Sequence, residues 1–573
     1  MEYLFLFAAL ALVLLIYMIR IWQLEKQKAA KFEAMLREEY GSRPPKKYPE
    51  GRLAALAQHF NRGKENAFAL DEITLTDLDF EALFRRIDRT HSAAGEEGLY
   101  RMLRIPCFDP GELSRRKDLI TYFAQQPEHR VRLQIYFAAV GRTGKYSVYD
   151  YLDAVMALEK KSNLPHFMMI LLMAASLLLM IPYPSLGLLG LLALLCVNFV
   201  TYFKQLREIE PYITTFAYFL RILDLAEKLE KLKIDRIAFL TKEIKEEAAR
   251  FEGFARFAFF LTNTDSMSGS PMDILVDYLR MGLHLNLIKF NSMLDMVQKN
   301  EDAIIGIMER LGYLEALLCA GEFAESLPGY TWAQLKENAE DQKVSGCKLS
   351  AEGLYHPLLE NPFSNDIELA GPMLLTGSNA SGKSTFLKTV AIAQLMAQSF
   401  GFVCATAYRS AYYRLFTSMA LRDDLRGGRS YFIVEIESLK RILDAANADK
   451  ETGQMTAEPG IMCFVDEVLR GTNTVERIAA STEILESLAE KGVFAFAATH
   501  DIELTTLLEH SYANYHFEEM VEDGDVKFNY CIQQGKAKSR NAILLLSVMG
   551  YEEAVTQRAA RRAEHFARTG EWQ

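Results

Sequence analysis

The stretch TGSNASGKST sets Gly377 and Gly382 around a short polar turn and follows the second glycine at once with Lys383, Ser384 and Thr385. Glycines let successive backbone N–H groups curl toward one anion, and the start of a helix adds positive potential there. A lysine neutralises outer phosphate oxygens, and a serine hydroxyl suits a hard divalent cation. Met373 to Thr376 is an apolar strand pattern immediately before the turn, and a helical period begins immediately after it. Strand, phosphate loop and helix in that order form a nucleoside-triphosphate site. Gly377, Ser381, Gly382, Lys383, Ser384 and Thr385 are its candidate contacts.

Such a site needs carboxylates. Ile461 to Val465 reads as a second apolar strand and ends in Asp466 and Glu467. Asp466 is the candidate partner of Ser384 in holding Mg2+, and Glu467 is placed to orient or deprotonate water. The stretch VFAFAATHD repeats the pattern and ends in His500, which in the same parallel sheet would face the terminal phosphate. Lys383, Glu467 and His500 are the catalytic candidates, with ATP and Mg2+ as the implied cofactors. Between these strands lies DDLRGGRSYFIVEIE, at 423 to 437. Gly427 and Gly428 expose backbone N–H groups, Arg429 adds charge and Ser430 adds a hydroxyl. This loop resembles the signature element of ATPases that work as dimers, in which it caps the nucleotide held by the other subunit.

Length and composition bound the rest. A chain of 573 residues exceeds what one core serves, so several domains are expected. The seven cysteines are scattered, with no CxxC and no His/Cys grouping at metal-ligand spacing, which predicts a reducing compartment and no metal cluster. A net charge of -11 excludes coating of nucleic acid by bulk electrostatics but leaves room for a local basic groove. Three segments are too apolar for water. Residues 4–22 carry Arg20 as their one charge and read as an anchor helix, and residues 164–203 form two apolar spans interrupted by Pro182 and Pro184. Lys and Arg outnumber Asp and Glu between Arg20 and Arg52, and basic residues flank the apolar pair on both sides. By the positive-inside tendency, three crossings leave 23–163 and 204–573 in the cytoplasm of a multi-pass cell-membrane protein. From 204 to 262 the charges alternate in sign, which fits a solvated helix face.

With these residues assembled, the chain resembles the MutS family of DNA mismatch-repair ATPases. The likeness rests on YHPLLENPFSNDIEL, TGSNASGKST, DDLRGGRSYFIVEIE, DEVLRGTNT, AFAATHDIEL and YCIQQGKAKSRNAILLLSVMGYEEAVTQRA, in family order from about 346 to 568. A weaker likeness at 84–113 and 313–325 matches the beginning and end of the family's helical core. The resemblance implies that Phe363 stacks on adenine, that Asn379 joins the phosphate cradle, that Ser430 reaches the opposite subunit's triphosphate, and that helices after Gly550 form a homodimer. Family members that recognise mismatches carry a separate domain ahead of the core, with a phenylalanine and a glutamate two residues on. Here an anchor and a linker stand in that place, and Phe32 is followed directly by Glu33.

The expected fold is an α/β P-loop NTPase domain of the ABC type at the C-terminus, joined to an all-α core with three transmembrane helices. The expected order is an anchor at 1–22, a cytoplasmic linker at 23–65, core at 66–163, a membrane hairpin at 164–203, core at 204–345 and the ATPase domain at 346–573. The expected function is a membrane-anchored, homodimeric MutS-like ATPase with possible DNA binding and a link to mismatch repair. A membrane-transport motor and an ATP-gated membrane scaffold remain the alternatives.

Overall fold

The computed structural model of the chain describes residues 2–42, 48–60, 67–256, 280–336, 348–378, 381–419, 431–451, 459–469, 472–522, 525–537 and 550–571, with a few isolated positions between them. Described elements as far as Glu325 are helical, and those beyond Thr331 mix strand and helix. Helices used below are α1 (Glu2–Glu38), α2 (Glu72–Asp77), α3 (Ala93–Arg104), α4 (Pro110–Gln125), α5 (Pro127–Val140), α6 (Leu164–Leu179), α7 (Pro184–Leu232) and α8 (Glu301–Glu325). After them come α9 (Lys383–Phe400), α10 (Tyr431–Glu451), α11 (Thr474–Glu490) and α12 (Glu553–Thr569).

Two glycines decide how the helical half closes. A Cβ on Gly98 of α3 would lie 2.3 Å from the backbone carbon of Gly312 on α8, so the two helices meet backbone to backbone. The two segments with the weaker family likeness are thereby packed against each other. Ser92 caps α3, its hydroxyl accepting from Gly95 N at 3.0 Å, and the buried Glu315 carboxylate on α8 accepts from Ser92 N at 3.1 Å. The last turns of α1 dock on α5 through Arg37, which donates to Glu128 at 2.7 Å and 2.8 Å.

The apolar hairpin differs from expectation in two ways. First, α7 does not stop near residue 203: it runs unbroken for 49 residues, through Pro211, into the helical core. Phe216, Phe219 and Ile222 are each fully buried there, and that packing offsets the backbone bond the proline removes. Second, the expectation of three membrane helices is not supported among the described residues. Among the described residues α7 alone is long and apolar enough to cross a bilayer. Helix α6 has 16 residues, a rise of about 24 Å against a hydrocarbon core of about 30 Å. In α1 the side chains of residues 2–15 lie outside the described set. The apolar window of α7 is 17 % buried, so its side chains face outward and do not form a protein core.

The C-terminal half holds β1 (Gln334–Lys336), β2 (Leu349–Leu354), β3 (Asn365–Leu369), β4 (Met373–Thr376), β5 (Ala407–Ala411) and β6 (Tyr413–Ser418). It continues with β7 (Gly460–Asp466), β8 (Phe494–Thr499), β9 (Ala513–Glu522) and β10 (Asp525–Gln534). The main sheet has the order β10-β9-β4-β8-β7-β6, parallel throughout except for its β10 edge. A smaller sheet, β1-β5-β2-β3, lies beside it. Strands β4 and β8 are buried along their whole length, as expected of parallel strands covered by helices on both faces.

Candidate nucleotide site

Register brings the predicted residues to one edge. Thr499 pairs with Thr376 and Ala498 pairs with Asp466, so the turns after β4, β7 and β8 open side by side. Ligands of open α/β sheets bind at such carboxyl ends. Gly377 has φ +149°, and a Cβ there would come within 2.8 Å of Ser381 Oγ. Gly382 has φ +102° and would place a Cβ 3.1 Å from the Tyr530 ring. Both glycines are thus required by geometry.

Lys383 opens α9 and turns its ammonium back onto the loop, donating to the carbonyls of Gly377 and Ser378 at 2.8 Å each. Ser384 donates its hydroxyl to Asp466 Oδ2. Asp466 Oδ1 and Ser381 Oγ are buried and have no hydrogen-bond partner among the described residues. Buried polar atoms left without a partner are costly, and native structures hold few of them. Two oxygens at the mouth of an 18-residue helix with a lysine beside them fit a triphosphate and its hard cation. Ser384 and Asp466 are the residues that would hold Mg2+.

Glu467 and Leu469 have φ +56° and +59°, a left-handed conformation that non-glycine residues hold at a cost of about 1–3 kcal/mol each. Glu467 N donates to Ala498 O at 2.9 Å, extending the sheet pairing one residue past β7 before the turn. That turn brings Glu467 Oε1 to 2.5 Å from His500 Nε2, which lies 3.5 Å from Lys383 Nζ. The turn at His500 is held by Asp501, whose carboxylate takes a two-point ion pair from Arg477 at 2.6 Å and 2.9 Å.

A cavity of about 530 Å³ adjoins these groups, with Phe363, Lys383, Ser384, Thr385, Glu467 and Tyr530 among its walls. Phe363 is 56 % exposed, and its ring centroid lies 5.1 Å from that of Tyr530. Asn365 fixes this wall: its Oδ1 accepts from Ile532 N at 2.8 Å and its Nδ2 donates to Tyr530 O at 3.1 Å. His356 lines the same cavity, and burial pushes its imidazole down to about 4, which leaves it neutral.

Phe363, Gly377, Ser381, Gly382, Lys383, Ser384, Thr385, Asp466, Glu467 and His500 therefore gather along one sheet edge, while Asn379 and Ser430 lie outside the described residues. Sequence reasoning gave no role to Tyr530 or Asn365. The signal available was an aromatic residue on the strand that borders the phosphate loop's neighbour, legible only once the sheet order is known.

Fold and site together define a P-loop nucleotide-binding protein. Residues 373–567 match the family model described as MutS domain V. The chain is 29% identical over 300 residues to DNA mismatch repair protein MutS 2 of Haloarcula marismortui, covering 47% of this chain and 30% of that protein. It is 31% identical over 280 residues to DNA mismatch repair protein MutS of Thermotoga maritima, covering 47% and 33%. To the MutS of Natronomonas pharaonis it is 34% identical over 229 residues, covering 37% and 25%. The likeness to the MutS family lies in that segment, and the chain spans a third or less of the length of each of these relatives.

Proposed function

We propose that the chain is a membrane-attached, homodimeric MutS-like ATPase that binds ATP and Mg2+ at two sites shared between subunits. The observation that carries this reading is the meeting of Ser384 with Asp466 and of Glu467 with His500 beside one cavity at the sheet edge. Lys383 leaves the Gly377 and Ser378 carbonyls to bind the outer phosphates. Glu467 holds the attacking water in line with the terminal phosphate, and His500 steadies the Glu467 carboxylate and donates toward the phosphate oxygens. Mg2+, when bound, supplies charge neutralisation across the phosphates. Phe363 and Tyr530 form one aromatic wall against which the base stacks, and Ser430 completes the partner subunit's site.

The outward-facing apolar side chains of α6 and α7 support a reading in which the hairpin lies in the cell membrane and the ATPase domain in the cytoplasm. The α1 anchor is part of the same attachment. The relatives are named for DNA mismatch repair, and DNA is the polymer this chain is proposed to engage. A membrane motor is the second reading, favoured by the continuity of α7 from the apolar hairpin into the core. The ATPase rate of detergent-purified protein, with and without homoduplex or mismatched DNA, separates them. Stimulation by DNA supports the repair-related reading, indifference to DNA supports the motor, and absence of turnover removes both.

A further inference from the structure

We infer that Glu435 is a positioning residue for Glu467, and that through it α10 sets the hydrolytic geometry of its own protomer's site. The inference rests on the role given to Glu467 above. Glu435 is 3 % exposed, and its Oε1 accepts the backbone N–H of Leu469 at 2.5 Å. Leu469 stands two residues beyond Glu467, and both have positive φ. A left-handed pair of non-glycine residues persists only where its surroundings over-determine it.

Three bonds do so here. Glu467 N is held by Ala498 O of β8 at 2.9 Å, and Val468 O by the Ser481 hydroxyl of α11 at 3.2 Å. Leu469 N is held by Glu435 of α10. The first two anchors belong to β8 and α11, which pack with the sheet that carries the phosphate loop. The third belongs to the helix that directly follows residues 423–430 in sequence.

Helix α10 is in turn tied to the helical half. Arg441 donates to Thr417 O at 2.6 Å and pairs with Asp71, the N-cap of α2. Asp77, 1 % exposed at the end of α2, accepts from the Thr417 hydroxyl at 2.6 Å and from Met419 N at 2.8 Å. Both segments flanking residues 423–430 are thus clasped by α2. Any displacement of α10 therefore reaches the Leu469 amide and, two residues away, Glu467.

The test uses the full chain in detergent, with Glu435→Ala, Glu435→Gln and Glu467→Gln. Glu435→Ala is expected to lower kcat roughly 10- to 100-fold, the scale of a misplaced reacting group. KM and the affinity for a fluorescent ATP analogue should change less than about threefold. Glu435→Gln keeps an acceptor oxygen and should recover most of the rate. In nucleotide-free protein, hydrogen exchange at the Leu469 amide should quicken in the alanine variant and not in the glutamine variant. Unchanged kcat and unchanged exchange in Glu435→Ala, with turnover lost in Glu467→Gln, overturn the inference alone. Wild-type turnover in Glu467→Gln overturns the role of Glu467 itself. Should the alanine variant fail to bind the analogue, Glu435→Asp, which withdraws the oxygen by one methylene, takes its place under the same expectations.

Discussion

Glu467 Oε1 lies 2.5 Å from His500 Nε2, across the gap between the ends of β7 and β8. A carboxylate at that place can hold water, whereas an amide in its shape loses the charge and keeps the volume. Glu467→Gln should therefore lower the single-turnover hydrolysis rate by about 10²- to 10⁴-fold. Affinity for the ATP analogue should be kept, since Lys383, Ser384 and the loop N–H groups are untouched. Full turnover would remove Glu467 from the chemistry.

Phe363 and Tyr530 stand 5.1 Å apart at the outer end of the cavity. Loss of a stacking ring costs about 1–3 kcal/mol per base, or roughly 5- to 150-fold in affinity. Phe363→Ala and Tyr530→Ala should each raise KM for ATP within that range and leave kcat near its starting value. Equilibrium titration with ATP measures it; an unchanged affinity in both variants would mean that the base binds elsewhere.

If Ser430 serves the partner's nucleotide, a subunit lacking Lys383 and a subunit lacking Ser430 complement each other. Lys383→Ala and Ser430→Ala homodimers should each be inactive. Their mixture should recover part of the wild-type rate, because half of the sites in a heterodimer then hold both intact residues. A mixture as inactive as its components would refute the shared site.

The phosphate loop, the Asp466–Glu467 pair and His500 were legible in sequence because each is a contiguous strand-and-turn pattern whose chemistry is local. Residues brought together by sheet order were not. Tyr530 sits 147 residues beyond Lys383, and only the neighbouring of β10, β9 and β4 carries it to the loop. Glu435 is one of two carboxylates in YFIVEIE, and nothing in that string separates the buried residue from Glu437, which is exposed. The continuity of α7 beyond the apolar stretch was hidden for a related reason. Charge begins at Lys204, while the buried aromatic residues downstream keep the helix unbroken.

The hairpin closes through small residues. The Ser176 hydroxyl donates to Gly187 O at 2.9 Å, and a Cβ on Gly187 would lie 2.6 Å from Met180 N. Such contacts pack helices where lipid surrounds them. Wild-type protein should remain with the membrane fraction after an alkaline wash. Gly187→Leu, which forces α6 and α7 apart, should expose the 180–184 turn to added protease and leave the detergent-solubilised ATPase rate within about twofold. Release of wild-type protein by the wash would refute membrane attachment through this hairpin.

Glu97 bears on stability rather than catalysis. It is buried on α3 and accepts the Ser147 hydroxyl at 2.6 Å, and burial pushes its carboxyl up to about 8 from an ordinary 4.5. Between those two values the folded chain keeps a proton that the unfolded chain has released, so stability falls as pH rises through the window. At about 1.4 kcal/mol per pH unit the loss amounts to several kcal/mol by pH 8. Glu97→Gln keeps an acceptor for Ser147 and carries no charge to bury. Its melting temperature should match the wild type near pH 5 and exceed it by several degrees at pH 8. Thermal unfolding of both proteins across that range measures the effect, and parallel curves would show that Glu97 is ionised in the fold.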